Sequence, residues 1–129
     1  MEPTTKQALD LGGIVDITTT GRTTGMPRRI EIYLHQFDGE YYLTGRPGGK
    51  RDWVANILAH PEFTVHLKRD VVADVPVVGE AEPDGEERGR ILFRALTESW
   101  GSDPDKVRGA LDRWVEQAPF IRLRPVTDD

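Results

Sequence analysis

Two glycine-rich, basic stretches hold the residues of this sequence that could bind a ligand. They are TTGRTTGMPRR (residues 19–29) and GRPGGKRDWVANILAHP (residues 45–61). Glycines let backbone N–H groups approach an anion, the hydroxyls of Thr23 and Thr24 can donate to it, and Arg28 can form bidentate bonds with phosphate or carboxylate. A helix predicted from Asp52, a plausible N-cap, adds a positive dipole end. The pair predicts an anion site, and a basic hairpin that is merely solvated is the alternative.

The charge distribution supports a local site for an anion. Residues 18–51 carry six basic and three acidic side chains, a net charge of +3, whereas the whole chain carries −5. Binding to a nucleic-acid backbone needs a broad basic face, so a nucleic-acid partner is not expected. A small anionic ligand held at one basic patch fits the distribution better.

Other kinds of catalytic site have few residues to work with. The chain has no cysteine, and its two serines, Ser99 and Ser102, stand beside predicted helix ends, where Ser102 is expected to be a helix cap. The three histidines lack the spacing of an easily assembled metal site, so no metal is expected and no catalytic residue is assigned. The absence of cysteine fits a cytoplasmic location.

Hydrophobic alternation and turn residues predict an antiparallel sheet with helices outside it. Asp38-Gly39 is a strong hairpin signal, and Pro76 places its strand at an edge or a bulge. Asp84 and Glu87 resemble a capping box. The predicted strands are 13–19, 30–35, 40–44, 62–68, 71–78 and 120–125, with helices at 52–59, after Asp84, and at 102–117.

This order indicates an α+β fold in which the sheet curls into a barrel with flanking helices. Residues 1–129 are expected to form a single domain, with residues 1–12 flexible or loosely packed. No apolar run approaches the length of a membrane span, and the N-terminus shows no secretory signal.

The two basic stretches, in this order, resemble the deazaflavin-dependent nitroreductase family, flavin/deazaflavin oxidoreductases with a split β-barrel (FMN-binding-like) fold. The family's "TTGR.(T/S)G.PR" turn appears at residues 19–28. Its Gly-Gly loop appears at residues 48–49, and its "W..NL.ANP" helix at residues 53–61. The likeness runs from about residue 14 to residue 125.

The resemblance implies coenzyme F-420, an 8-hydroxy-5-deazaflavin with a phosphate and an oligoglutamate tail, with FMN as the alternative cofactor. The implied phosphate and tail contacts are Arg22, Thr23, Thr24, Pro27 and Arg28. The residues implied to line the deazaflavin and complete its pocket are Tyr33, Thr44, Gly45, Arg46, Gly48, Gly49, Trp53 and Asn56. Lys50, beside Arg51, is expected to supply positive charge from the far side of the loop.

The resemblance also implies a reaction, in which reduced F-420 passes a hydride to an unsaturated, quinone or nitro-type small molecule. The substrate-side tyrosines of some relatives are absent near residues 97–106, where Trp100 stands instead, so no proton donor is carried over. A non-catalytic split-barrel module that binds F-420, FMN or haem is the alternative. A barrel that binds no ligand is a third hypothesis. The exposed edges of a split barrel favour a homodimer.

Overall fold

The computed structural model describes residues 1–48, 51–80 and 85–126. Its elements, in chain order, are α1 (Pro3–Leu11), β1 (Gly13–Thr20), β2 (Pro27–Phe37), β3 (Glu40–Thr44), α2 (Asp52–Ala59), β4 (Glu62–Lys68), β5 (Val72–Glu80), α3 (Gly85–Arg94), a π-helix (Ala95–Ser99), α4 (Pro104–Gln117) and β6 (Phe120–Pro125). All six predicted strands are present in the predicted order. Within the described ranges, no helix is long and apolar enough to cross a membrane.

The six strands form one closed antiparallel barrel in the order β1-β2-β3-β6-β5-β4. Asp38 and Gly39 both have positive φ values, 56° and 84°, as expected for a tight hairpin between β2 and β3. The α+β barrel with flanking helices is therefore confirmed. Since each described strand has a neighbour on both sides, the exposed edges expected as a basis for dimerisation are not found among these strands.

Alternating apolar side chains fill the inside of the barrel. Val15, Ile17, Leu34, Leu43 and Val65 are each at most 1% exposed and belong to one core cluster. A second cluster lies between the outside of the barrel and the helices that cover it. It contains Phe37, Tyr42, Ile91, Leu92, Ala95, Ala118 and Phe120. Because the barrel interior is occupied by side chains, a ligand has to bind outside this core.

In the N-terminal segment, which was expected to be flexible or loosely packed, residues 3–11 form the helix α1 and pack against the barrel. Leu9 of α1 is fully buried in the main core. The Tyr41 hydroxyl donates to Asp10, and Lys6 Nζ lies 2.7 Å from the same carboxylate. One buried leucine and one tyrosine–carboxylate contact therefore fix a helix whose other residues are mostly polar.

Two other predicted helix starts differ from the structure or fall outside it. The N-cap of α4 is Asp103, whose carboxylate accepts from the backbone N–H of Asp105, so Ser102 is not the cap. The proposed capping-box residue Asp84 lies outside the described residues. Pro76 lies within β5 and pairs with Thr64 of β4, and the ladder from β5 to β6 begins at the next residue, Val77.

His35 is buried between β2 and the helices outside it. Its side chain is 1% exposed, and its Nδ1 lies 2.9 Å from the Oγ of Ser99 at the end of the π-helix. The rings of Tyr33 and Trp100 lie 4.8 and 5.0 Å from the imidazole, centroid to centroid. Burial lowers the pKa of His35 from 6.5 to about 4, so the imidazole is neutral at neutral pH.

Acidification from pH 6.5 to 4 is expected to destabilise the fold through His35. The unfolded chain protonates this imidazole near pH 6.5, whereas the folded protein protonates it only near pH 4, so added protons favour the unfolded state across this window. Denaturation midpoints measured against pH should fall less steeply in His35→Phe. His60→Gln, at an exposed position after α2, is the matched control and should keep the wild-type slope. An unchanged slope in His35→Phe would contradict this assignment.

Candidate functional site

The first basic stretch forms a compact turn between β1 and β2. The Gly21 N–H donates to the Met26 carbonyl and the Gly25 N–H to the Gly21 carbonyl, both at 2.8 Å, while the Met26 N–H donates to Thr24 Oγ1 at 3.1 Å. A Cβ on Gly21 would lie 2.8 Å from Thr24 Oγ1, and Gly25 has a φ of +72°. The glycines at 21 and 25 are therefore required by the shape of the turn.

Asn56 joins this turn to the second basic stretch. Its side-chain Oδ1 accepts from the Arg22 backbone N–H at 3.0 Å, and its Nδ2 donates to Thr19 Oγ1 at 3.1 Å. Asn56 is the only asparagine of the chain and is 3% exposed. One buried side chain thus holds α2 against the β1–β2 turn.

A glycine in β5 lets α2 pack closely on the barrel. A Cβ on Gly79 would lie only 2.3 Å from Ile57 Cγ2, so any side chain there would push the helix outward. The Gly79 N–H also donates to the Pro61 carbonyl, just after the helix, at 2.8 Å. The position of α2 is therefore set by the hydrogen bonds of Asn56 and by the space that Gly79 leaves for the neighbouring Ile57.

The start of α2 has no side-chain cap. The helix begins at Asp52 as predicted, but the N-cap residue is Arg51 and not Asp52, and no side chain bonds to the first-turn N–H groups from that position. The sequence placed the cap one residue late, which is a small shift for a helix boundary. The open N–H groups and the helix dipole make this end of α2 favourable for an anion.

A cavity of about 550 Å³, which we call the α2 cavity, lies between the start of α2 and the strand ends next to it. Such a volume suits a cofactor-sized ligand. Six residues implied by the resemblance line it: Arg28, Thr44, Gly45, Arg46, Trp53 and Asn56. The lining residues that the sequence did not single out as ligand contacts are Thr19, Ile30, Glu31, Ile32, Arg51 and Asp52.

A second cavity of about 350 Å³, the outer cavity, shares Arg51 and Asp52 with the α2 cavity. Arg22, expected to contact the phosphate or tail, lines the outer cavity. The two cavities therefore adjoin at Arg51 and Asp52.

Several implied residues do not line the α2 cavity. Thr23, Thr24 and Pro27 are exposed in or beside the turn, and they line neither the α2 cavity nor the outer cavity. Gly48, with a φ of +100°, donates its N–H to the Gln117 carbonyl at 3.3 Å. Gly49 and Lys50 lie outside the described residues.

Tyr33, which the resemblance implies as a residue that lines the deazaflavin, does not line the α2 cavity. Its neighbour Ile32 does line that cavity. Tyr33 instead lines a third cavity, of about 460 Å³ and beside α1, and contacts Trp100, with ring centroids 5.9 Å apart.

The α2 cavity has more positive than negative charge available to a ligand. Glu31 is paired with Lys68 at 2.5 Å, and Asp52 lies 3.5 Å from Arg22. In contrast, none of the carboxylates in the described ranges lies within 4 Å of the guanidinium groups of three lining arginines, Arg28, Arg46 and Arg51. Among the described residues, three lining cations are thus without an acidic partner, while both lining acids have a basic one.

Arg51 is placed to receive an anion. Its Nη2 donates to the Arg46 carbonyl at 2.8 Å, which holds the guanidinium in position. Its Nε is buried and has no hydrogen-bond partner among the described residues. A buried charged donor without an acceptor is costly, so a ligand oxygen at this point would stabilise the site.

Besides its charged residues, the α2 cavity has an apolar part of its wall. Ile30, Ile32 and Trp53 are partly buried, line the cavity and pack against the barrel core. Trp53 thus contributes both to the core and to the cavity. A ligand with an apolar, planar part and an anionic part matches this surface.

A hydroxyl–imidazole–carboxylate row also exists, on the outer face of the barrel. His66 Nε2 lies 2.7 Å from Thr18 Oγ1, and His66 Nδ1 lies 2.7 Å from Asp74 Oδ1. None of the three cavities includes these residues, and the backbone of these strands is engaged in the barrel ladders. The row therefore lies apart from the three cavities. Within the described parts of the chain, no group of three or more His, Asp or Glu residues could hold a metal ion.

Comparison with known proteins agrees with this geometry. The model of a family described as F420H(2)-dependent quinone reductase matches residues 4–108. The conserved hypothetical protein Rv2991 of Mycobacterium tuberculosis is 17% identical, with a TM-score of 0.73 over 98% of this chain and 82% of that one. An F420-H2 dependent reductase (FDR-A) is 21% identical, with a TM-score of 0.54 over 85% and 91%. HutZ, a haem storage protein of Vibrio cholerae, is 16% identical, with a TM-score of 0.65 over 98% and 91%. At these identities the structures show the fold alone, which is the expected split barrel.

Replacing Asn56 is expected to loosen the site and the fold together. Asn56→Ala removes both bonds and leaves the Arg22 N–H and the buried hydroxyl of Thr19 without this partner, at a cost of about 1–3 kcal/mol in unfolding free energy. Denaturant unfolding measures the loss, and hydrogen exchange of the turn amides should become faster. Asp112→Ala, at an exposed position of α4, is the control. If Asn56→Ala kept the wild-type free energy of unfolding and amide exchange rates, the hydrogen bonds of Asn56 would contribute nothing to stability.

Proposed function

Because this chain belongs to the F420H(2)-dependent quinone reductase family, we propose that it binds reduced F-420 in the α2 cavity and reduces a small molecule there. F-420 is the cofactor of this family. The proposed acceptor is an unsaturated, quinone or nitro-type compound. The observation that carries the proposal is a cavity with an apolar wall and three lining arginines that have no carboxylate partner among the described residues.

The residues of the α2 cavity suit the chemical parts of F-420. Its phosphate would be held by Arg28, Arg46 and Arg51 together with the uncapped start of α2. The deazaflavin would be held against Ile30, Ile32 and Trp53. The buried Nε of Arg51, which has no acceptor among the described residues, supports an anion at this position.

The outer cavity offers a continuation for the oligoglutamate tail. It shares Arg51 with the α2 cavity and adds Arg22, so cationic side chains line both spaces. A tail that carries several carboxylates would lie close to these arginines. Their positive potential would attract the tail here, whereas the acidic remainder of the surface would repel it. This arrangement also accounts for the position of Arg22 outside the α2 cavity.

The chemistry asked of the protein itself is limited. Reduced F-420, when bound, supplies a hydride equivalent to an acceptor. The side chains of the cavity would orient both reactants and exclude water, which requires neither a nucleophile nor a metal from the chain. Such a role agrees with the scarcity of serine, cysteine and clustered histidine in the sequence.

A non-catalytic cofactor-binding module is the second candidate. It is favoured by the lining of the α2 cavity, where no tyrosine or histidine that could act as a proton donor is found among the described residues. Anaerobic mixing of the protein and reduced F-420 with a panel of quinone, nitro and enone acceptors separates the two. Acceptor-dependent formation of oxidised F-420 above the protein-free rate supports the reductase. Tight binding without such turnover supports the module.

A homodimer, a cytoplasmic location and the absence of a nucleic-acid partner stay predictions for this chain. The net charge of −5 still argues against binding to a polyanion. Sedimentation of the purified protein over a range of concentrations tests the dimer.

Arg28→Ala is expected to weaken F-420 binding at least tenfold, about 1.4 kcal/mol, because a charge-assisted contact with the anion is lost. Arg29→Ala is the matched control. Its side chain points to the opposite face of β2, where Nε lies 3.0 Å from Asp16 Oδ2. Calorimetric titration of both variants should show the loss in Arg28→Ala only. Equal dissociation constants for wild type and Arg28→Ala would remove Arg28 from the site.

A further inference from the structure

The orientation of the Asn56 amide can be deduced from its partners. A backbone N–H can only donate, so the Asn56 atom that faces the Arg22 N–H at 3.0 Å must be the oxygen. The other end of the amide, 3.1 Å from Thr19 Oγ1, is therefore the NH₂ group, which can only donate. The amide cannot flip without placing two donors face to face at Arg22.

This orientation determines what the Thr19 hydroxyl can do. Its oxygen accepts from Asn56, so its own proton has to be donated in another direction. Thr19 is 2% exposed, and no acceptor for this proton is found within the described parts of the chain. The residue also lines the α2 cavity.

Thr44, the other threonine that lines the α2 cavity, behaves differently. Its hydroxyl donates to the Pro119 carbonyl at 2.6 Å, so its proton is already engaged. Of these two buried hydroxyls, only that of Thr19 has a proton available to a ligand.

We propose that Thr19 is a specificity-determining residue of the α2 cavity, whose hydroxyl, oriented by Asn56, donates a hydrogen bond to an acceptor atom of the bound cofactor. The inference rests on the proposed function, because it assumes a cofactor in that cavity. A donor hydroxyl at Thr19 favours a ligand that presents a hydrogen-bond acceptor beside β1: a carbonyl or phosphoryl oxygen, or a ring nitrogen with a lone pair. A ligand that presents a donor at this position would leave two donors in conflict and bind more weakly.

Calorimetric titration of Thr19 variants with F-420, and separately with FMN, tests the inference. Thr19→Val keeps the shape of the side chain but lacks the hydroxyl, and is expected to lose about fivefold or more in affinity for the preferred cofactor. Thr19→Ser keeps the donor and should bind within about twofold of wild type. Thr18→Val changes the neighbouring residue, which faces outward towards His66, and should also bind within about twofold.

A double-mutant cycle with Asn56→Asp distinguishes a hydrogen bond to the ligand from a general disturbance of the site. The introduced carboxylate can still accept from the Arg22 N–H. Because a carboxylate cannot donate, the Thr19 hydroxyl must donate its proton to residue 56, and this proton is then no longer available to a ligand in the cavity. Thr19→Val should then have little further effect on affinity in the Asn56→Asp background. The cycle isolates this coupling, since the added charge acts on both members of each pair.

The possible outcomes separate the inference from the proposed function. Cofactor binding by wild type with unchanged affinity in Thr19→Val would overturn the inference and leave the proposed function standing. An equal loss for Thr19→Val in both backgrounds would also overturn it. Failure of wild type to bind either cofactor would overturn the proposed function, and the inference with it. A loss in Thr19→Val that Thr19→Ser restores and Asn56→Asp abolishes would support the inference.

Discussion

The buried amide of Asn56 is the contact on which the rest of the site depends. Residues 19–29 and 45–61 belong to separate parts of the barrel, and the Asn56 side chain bonds to both Thr19 and the Arg22 backbone. Its position is possible because Gly79 leaves room for Ile57 of the same helix. Without this link, the uncapped start of α2 and the arginines of β2 and of the loop before α2 would not be held around one cavity.

The electrostatics of the site follow from which charges are already paired. The chain is acidic overall, but the two acids that line the α2 cavity are neutralised by Lys68 and Arg22. The lining arginines have no such partner among the described residues, and one of them, Arg51, carries a buried donor without an acceptor. An acidic protein therefore presents a local cationic surface, which suits a small multivalent anion and disfavours a large one.

The sequence was sufficient for the strands, the hairpin at Asp38-Gly39 and the order of the elements along the chain, because period-2 alternation and turn residues are local signals. It was also sufficient for the two motifs that meet at the α2 cavity. It was not sufficient for α1, since a single buried leucine and a contact between Tyr41 and Asp10 fix that helix. Hydrogen bonds between residues 34 to 37 positions apart, as at Asn56, leave no trace in local patterns. Tyr33 is different, because the alternation of side chains along β2 is a local pattern that places Tyr33 and Ile32 on opposite faces of the sheet.

Titration of the purified protein with F-420 and with FMN, each at low and at high salt, tests the central claim most directly. The claim is that an anionic deazaflavin is held by the arginines of the α2 cavity. Tight binding of F-420 that weakens as salt rises, with much weaker binding of FMN, is the expected result, because exposed charge contacts are screened by salt. Stronger binding of FMN than of F-420, or binding of neither, would contradict the claim.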